Sequence, residues 1–91
     1  MYVTFTAVDL DPAKWDTDAA IRMLETQLIP GLKQAPGFVK GTWFGNEHAG
    51  HGLVMFETQE QASGALQEIG STVLDGIDVV SSNVYEVHTE A

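Results

Sequence analysis

The order in which strand-like and helix-like patterns follow one another is the feature that most constrains how this chain folds. Four runs are rich in β-branched and aromatic residues, a composition typical of strands. They are residues 2–8 (YVTFTAV), 38–44 (FVKGTWF), 52–57 (GLVMFE) and 77–88 (IDVVSSNVYEVH). Residues 45–51 (GNEHAGH) join the middle two runs, and their Gly and Asn content predicts a hairpin. The apolar phase of the last run shifts between Val84 and Tyr85, which predicts a bulge or a change of environment there.

The segment between the first two strands predicts a helix in two pieces. From about Thr17, apolar residues recur at helical spacing. They are Ala20, Ile21, Leu24, Leu28 and Leu32. Because Pro30 lacks an N–H and clashes with the preceding turn, we expect a kink or restart near Ile29 and an end before Pro36 and Gly37.

A second, shorter helix is predicted to begin near Thr58. Gln61 follows Thr58 at the spacing of a capping box, in which each side chain satisfies a free backbone N–H at the helix start. The helix has one narrow apolar stripe, which predicts packing on one side only. The stripe consists of Ala62, Ala65, Leu66 and Ile69.

The resulting order is strand, helix, strand, strand, helix, strand. This order predicts a ferredoxin-like α+β domain with a four-stranded antiparallel sheet. Because both crossovers are right-handed, the two helices are expected on one face of the sheet, and the other face is left bare. We expect one domain over residues 1–91, since a chain of this length supports a single core.

The bare sheet face is predicted to carry the functional surface. Its expected residues are Tyr2, Thr4, Thr6, Trp43, Leu53 and Met55. Val54 and Phe56 are expected to turn toward the helices. An exposed surface that includes Trp, Leu and Met is unfavourable on a monomer and marks an interface or a ligand groove. The sequence therefore predicts a homodimer.

Charge and composition narrow the classes of partner. The chain has 4 Lys and Arg against 13 Asp and Glu, and its net charge of −9 repels phosphate backbones and anionic lipid headgroups. We therefore expect no nucleic-acid partner and no membrane partner. The chain has no Cys, and its first residues lack the basic stretch and apolar run of a signal peptide. A cytoplasmic location is expected.

The sequence predicts no metal site and no cofactor. His48 and His51 are three residues apart beside Glu47, whereas the helical zinc motif needs His residues four apart on one face. A solvated Gly-rich loop explains these residues more simply. The acidic residues around the first loop lack the Gly and the bidentate Glu of a calcium loop.

Three short stretches resemble a known superfamily. They are Pro36-Gly37-Phe38 at the entry to the second strand, Trp43-Phe44 at its end, and residues 55–60 (MFETQE). Over nearly its whole length the chain resembles the dimeric α+β barrel superfamily, and within it the antibiotic-biosynthesis monooxygenase-like domains. The resemblance implies that two protomers join their bare sheet faces into an eight-stranded barrel. It also implies a cavity inside the barrel or between sheet and helices.

The activities of that superfamily differ in the residues they need. The haem-degrading branch is associated with an Asn in the first strand and a His in the second helix, and neither occurs here in YVTFTAV or QEQASGALQEIG. The cofactor-free oxygenases hold a phenolic substrate and stabilise its anion with fixed hydrogen-bond donors. Trp43, Asn83 and Tyr85 are candidate donors by their chemistry.

The sequence thus predicts a homodimer that binds a small apolar or aromatic molecule. The candidate ligand-binding residues are Thr4, Thr6, Trp43, Met55, Asn83 and Tyr85. The resemblance suggests a cofactor-independent monooxygenase-like reaction on an aromatic or phenolic substrate, and no catalytic base is identified. The alternative is a non-catalytic dimeric binding or accessory protein. A cavity with converging polar groups favours the first, and an interior filled by side chains favours the second.

Overall fold

The structure, a computed structural model, describes residues 1–70 and 74–91, without the side chains of residues 69 and 70. Within these residues, four strands form an antiparallel sheet in the order β2-β3-β1-β4. The strands are β1 (Tyr2–Leu10), β2 (Phe38–Gly45), β3 (Ala49–Phe56) and β4 (Ile77–Glu86). A helical run over residues 17–33 joins β1 to β2, and a helix over Gln59–Gly70 follows β3. The predicted order of strands and helices is confirmed.

The first helical run changes its winding in the middle. It consists of α1 (Thr17–Met23), a π-helical segment (Leu24–Leu28) and α2 (Ile29–Lys33). The Ile29 N–H donates to the Leu24 carbonyl five residues earlier, which is the hydrogen bond of a π-helix. This wider turn lies directly before Pro30, whose ring clashes with the preceding turn of a regular helix. The predicted restart near Ile29 is confirmed.

The helix α3 (Gln59–Gly70) has the predicted capping box at its start. The Gln61 N–H donates to Thr58 Oγ1 at 3.2 Å, and the Thr58 N–H donates to Gln61 Oε1 at 3.1 Å. Ala62 and Ala65 are buried against the sheet as the stripe predicts, and Leu66 is half-buried. The stripe position Ile69 lies outside the described side chains.

The hairpin between β2 and β3 is tighter than predicted. Strand β3 begins at Ala49 rather than at Gly52, so only residues 46–48 remain outside the strands. Asn46 Oδ1 accepts hydrogen bonds from the His48 N–H at 2.9 Å and the Ala49 N–H at 3.0 Å. Because the Asn side chain supplies these bonds inside the turn, both strands extend further toward it.

The predicted irregularity in β4 is misplaced. The register between β1 and β4 shifts where Ala7 pairs with Ser81 and Val8 pairs with Val79, so Val80 is the extra residue. Val84 and Tyr85 keep a regular register with β1. The apolar pattern misled the prediction because both faces of the sheet carry apolar side chains at this point, so two adjacent apolar residues need no phase shift.

The register shows that part of the predicted bare face is on the helix side. Thr4 pairs with Val54 on one side and with Val84 on the other, and Tyr2 pairs with Phe56. Directly paired residues point to the same face of a sheet. Tyr2, Thr4 and Thr6 therefore face the helices together with Val54 and Phe56, and their expected place on the bare face is wrong.

Trp43 is also on the helix side, since it pairs with Gly52 in the row of Thr6. The bare face carries the alternate residues of β1 and β3 instead, including Val3, Phe5, Leu53 and Met55. The predicted positions of Leu53 and Met55 are confirmed. The prediction for β1 was wrong because its Thr residues suggested the solvent-facing side, whereas the pairing with β3 places them under the helices, where Thr4 is buried.

The core lies between α2, α3 and one half of the sheet. Phe56 is fully buried, and its ring meets Phe38 edge-to-face at 6.3 Å between centroids. Leu32 from α2 and Val54 from β3 complete the centre of this cluster. No helix in the described ranges is long and apolar enough to cross a membrane.

Two glycine substitutions test this packing with opposite signs. Gly64 lies in α3 with nothing within 4 Å of an added Cβ. Gly64→Ala should raise the free energy of unfolding by up to about 1 kcal/mol, because Ala is the better helix former. Gly37 has φ +76°, and an added Cβ would clash with the Gln61 side chain. Gly37→Ala should lower the free energy of unfolding by more than about 1 kcal/mol.

Urea denaturation followed by circular dichroism measures both changes. A change of the same sign in the free energy of unfolding of both variants would contradict the open position of Gly64 on the helix or the left-handed conformation of Gly37.

Candidate ligand-binding cavity

A cavity of about 540 Å³ lies between the first helical run and the helix-facing side of the sheet. Its floor is formed by β1, β2 and β3, with Thr4, Thr6, Val8, Gly50 and Gly52. Its wall is formed by α1 and the π-helical segment, with Ala20, Met23, Leu24, Gln27 and Leu28. The lining is mainly apolar, and its volume suits a small organic molecule.

The cavity exists because β3 has no side chains over part of the floor. Gly50 and Gly52 occupy two successive helix-facing positions of β3, and Val54 and Phe56 occupy the next two. An added Cβ at Gly50 would come within 3.2 Å of Val8 Cγ2. The π-helical segment lies across this floor. Because the two glycines have no side chains to fill the space below it, the space remains open.

Trp43 forms a flat part of the floor. An added Cβ at Gly52 would come within 2.9 Å of Trp43 Nε1, and one at Gly41 would come within 2.8 Å of Cζ3. The indole therefore spans two strands and lies directly on the backbone of these glycines. It is half-buried against the core cluster. A planar ring at the edge of a cavity offers a stacking surface for a planar ligand.

Two ionisable side chains are among the lining residues, Glu47 and His51, although the His51 ring stacks on Phe44 on the bare face. The other polar groups of the cavity are neutral. Thr4 is only 1% exposed, and Thr6 Oγ1 shares a hydrogen bond of 3.1 Å with Ser82 Oγ. Gln27 and Asn46 contribute amides to the lining. Glu47 is the only Asp, Glu, Lys or Arg of the described lining.

Contacts between two loops hold Trp15, which belongs to the cavity lining. Trp15 Nε1 donates to the Asp75 carbonyl at 2.7 Å, and the Asp11 N–H donates to the Gly76 carbonyl at 2.8 Å. Lys14 Nζ contacts both carboxylate oxygens of Asp75, at 2.8 and 2.9 Å. The hydrogen bond with Asp75 raises the pKa of Lys14 above its ordinary value. These contacts fix the position of the Trp15 ring.

The structure divides the six predicted ligand-binding residues between the two faces of the sheet. Thr4, Thr6 and Trp43 line the cavity. Met55 and Tyr85 both pair with Val3, and Asn83 pairs with Phe5, so these three belong to the bare face. No single pocket on one face of the sheet contains all six. Gly50 and Gly52 were not among the predicted residues, although their alternate spacing in β3 indicates a part of the sheet without side chains.

The bare face carries an aromatic cluster formed by Phe5, Phe44 and His51. The Phe44 and His51 rings stack at 5.2 Å with an interplanar angle of 8°, and Phe5 lies 5.7 Å from His51 between ring centroids. Phe44 is 51% exposed, and His51 Nδ1 is a buried atom without a hydrogen-bond partner. Among the described residues, no group of three or more His, Cys, Asp or Glu is placed to hold a metal ion.

Comparisons with known proteins agree on the architecture. No protein-family model and no curated protein matches the chain. The crystal structure of HapK from Hahella chejuensis superposes with a TM-score of 0.71 at 12% identity, covering 100% of this chain and 96% of that one. The chain has a ferredoxin-like fold. The second RRM domain of the yeast poly(U)-binding protein Pub1 superposes with a TM-score of 0.58 at 19% identity, covering 99% of this chain and 100% of that one. At these identities the likeness extends to the ferredoxin-like fold alone.

The contact between Gly52 and Trp43 gives a test of the cavity floor. Gly52→Ala should lower the free energy of unfolding by about 1–3 kcal/mol, because the new methyl group displaces the indole from the sheet. The same substitution should cost less in a Trp43→Phe background, where the smaller ring leaves room. Urea denaturation of the four proteins of this double-mutant cycle measures the coupling. Additive effects of the two substitutions would show that the indole does not lie on Gly52.

Proposed function

We propose that this chain binds a small, mostly apolar aromatic molecule in the cavity beneath the first helical run. The supporting observation is the open, glycine-floored cavity of about 540 Å³ with the Trp43 indole exposed to it. Apolar pockets with a few fixed polar groups are the usual form of small-molecule sites. Here the Thr4 and Thr6 hydroxyls and the Trp43 Nε1 are the polar groups of the floor, and they set the orientation of the ligand.

A cofactor-independent monooxygenase-like reaction is the chemistry that the family resemblance adds to this proposal. The substrate would be an aromatic or phenolic molecule that enters the cavity in its neutral form, loses its proton there, and reacts with oxygen as the anion. Glu47 is the candidate base, since it is the one carboxylate of the described lining. Trp43 Nε1 and the two hydroxyls are the candidate donors to the anion.

Dissolved-oxygen consumption separates this enzyme from its alternative, a non-catalytic binding protein. A bound quinol that consumes oxygen faster with the protein than without it would make the cavity an active site. Binding without extra oxygen consumption would support the non-catalytic function. We place the protein in the cytoplasm as part of the same proposal.

The bare sheet face is proposed to join two copies of the chain. Phe44, Leu53 and Tyr85 are all exposed on it, and Tyr85 is 53% exposed. A contiguous apolar surface of this kind is unfavourable in water. A second copy would cover it with the same apolar residues.

The likeness to an RRM domain raises nucleic acid as another occupant of the bare face. Aromatic side chains on a sheet do stack with bases. Binding to a phosphate backbone also needs cations, and this chain has 4 Lys and Arg against 13 Asp and Glu. The charge balance supports a second copy of the chain rather than a nucleic acid.

Oligomeric state tests the proposed dimer. Light scattering over a series of concentrations should give a stable mass of twice the 9.9 kDa of the chain. Leu53→Asp should shift the mass to that of the monomer, because it places a charge in the apolar interface. Thr26→Asp, on the exposed side of the first helical run, is the control and should remain dimeric. A wild-type monomer at every concentration would overturn the dimer.

Filling the cavity tests the proposed ligand site. Ala20→Phe places a ring in the cavity and should weaken the binding of 2-naphthalenemethanol at least tenfold by isothermal titration calorimetry. Thr26→Phe adds the same ring on the exposed side of the helical run and should leave binding unchanged. Circular dichroism verifies that both variants are folded. Equal affinity of the Ala20→Phe variant and the wild type would show that the probe binds elsewhere.

A further inference from the structure

We infer that the cavity selects neutral or positively charged planar aromatic molecules and excludes their anionic counterparts. This inference rests on the proposed ligand-binding function and adds the charge class of the ligand. It follows from where the few cations of the chain lie, from how the nearest helix start is occupied, and from the position of Glu47.

None of the four Lys and Arg residues of the chain lines the cavity. Lys14 is next to the lining residue Trp15 in the chain, but Asp75 holds its ammonium group with two contacts of 2.8 and 2.9 Å. Arg22 borders a separate groove on the outer side of the helical run. Lys33 and Lys40 are exposed outside the cavity lining. The one imidazole of the described lining, His51, has its ring stacked on Phe44 on the bare face. An anionic ligand would therefore enter without a Lys or Arg partner.

The start of α1 is already occupied by a carboxylate. Thr17, the first residue of α1, lines the cavity, and free N–H groups at a helix start attract anions. Asp16 Oδ1 accepts from the Ala19 N–H at 2.7 Å, and Asp18 adds a second carboxylate in the first turn. The positive end of the helix is thus compensated by the chain itself.

Glu47 makes the remaining electrostatic contribution at the cavity. Its carboxylate repels an anion and attracts a cation, and the −9 net charge of the chain acts in the same direction. The face of the Trp43 indole is also attractive to cations. An anion that enters would lose its hydration in a mainly apolar cavity, without a Lys or Arg to compensate for that loss.

Three probes with one ring system and three charges test the inference. They are 2-naphthalenemethanol, which is neutral, 2-naphthalenemethylamine, which is cationic, and 2-naphthoate, which is anionic. Isothermal titration calorimetry at pH 7 and low ionic strength should give measurable binding of the neutral and cationic probes. The anionic probe should bind at least tenfold more weakly than the neutral probe.

Two glutamate variants with the same net charge separate the local effect from the global one. Glu47→Gln should strengthen the binding of 2-naphthoate and weaken that of 2-naphthalenemethylamine, each by up to about fivefold, the range of an interaction with an exposed charge. Glu90→Gln, in the exposed C-terminal segment, should leave both affinities close to wild type. Added salt should reduce the difference between the cationic and anionic probes.

The outcomes distinguish the inference from the function on which it rests. Binding of 2-naphthoate as tight as that of the neutral probe would overturn the charge selectivity and leave the ligand site standing. Equal effects of Glu47→Gln and Glu90→Gln would overturn the role of Glu47. Failure of all three probes to bind the wild type would contradict the proposed function itself.

Discussion

The antiparallel register between β1 and β3 determines which side chains share each face of this molecule. Their pairing runs from Tyr2 with Phe56 to Asp9 with Ala49 without interruption. The side-chain period of a strand is two, so a slip of one residue would exchange the two faces completely. The helix-facing positions of β3 then read Gly50, Gly52, Val54 and Phe56 along the strand. One end of the sheet is filled with core, and the other end is left open as a cavity, because side-chain size increases in that one direction.

The features that depended on local chemistry could be predicted from the sequence. The capping box at Thr58 and Gln61 and the restart of the helix before Pro30 involve residues a few positions apart, and both are confirmed. The faces of β1 depended on its partner strand, and the sequence placed them wrongly. Thr4 and Thr6 form the more polar side of the strand, but the register with β3 turns that side toward the helices and leaves Val3 and Phe5 on the bare face.

Only half of the predicted ligand-binding residues lie at the cavity, because the face of each strand residue depends on the register with its partner strand. Thr4, Thr6 and Trp43 line the cavity, whereas Met55, Asn83 and Tyr85 belong to the opposite face. Reactive and hydrogen-bonding side chains can be recognised in a sequence as candidate site residues. The cavity instead depends on Gly50 and Gly52, which have no side chains. The proposed dimer surface and the proposed ligand site therefore lie on opposite faces of one sheet and are separated only by its backbone.

The chain has two tryptophans, and both line the same cavity. Trp43 lies on the glycine floor, and the Trp15 indole N–H donates to the Asp75 carbonyl. All of the indole emission of the protein thus originates beside one internal space. The molecule has a built-in optical reporter: any occupant that excludes water from this space or stacks on a ring changes the fluorescence of the whole protein, and no dye is needed to follow it.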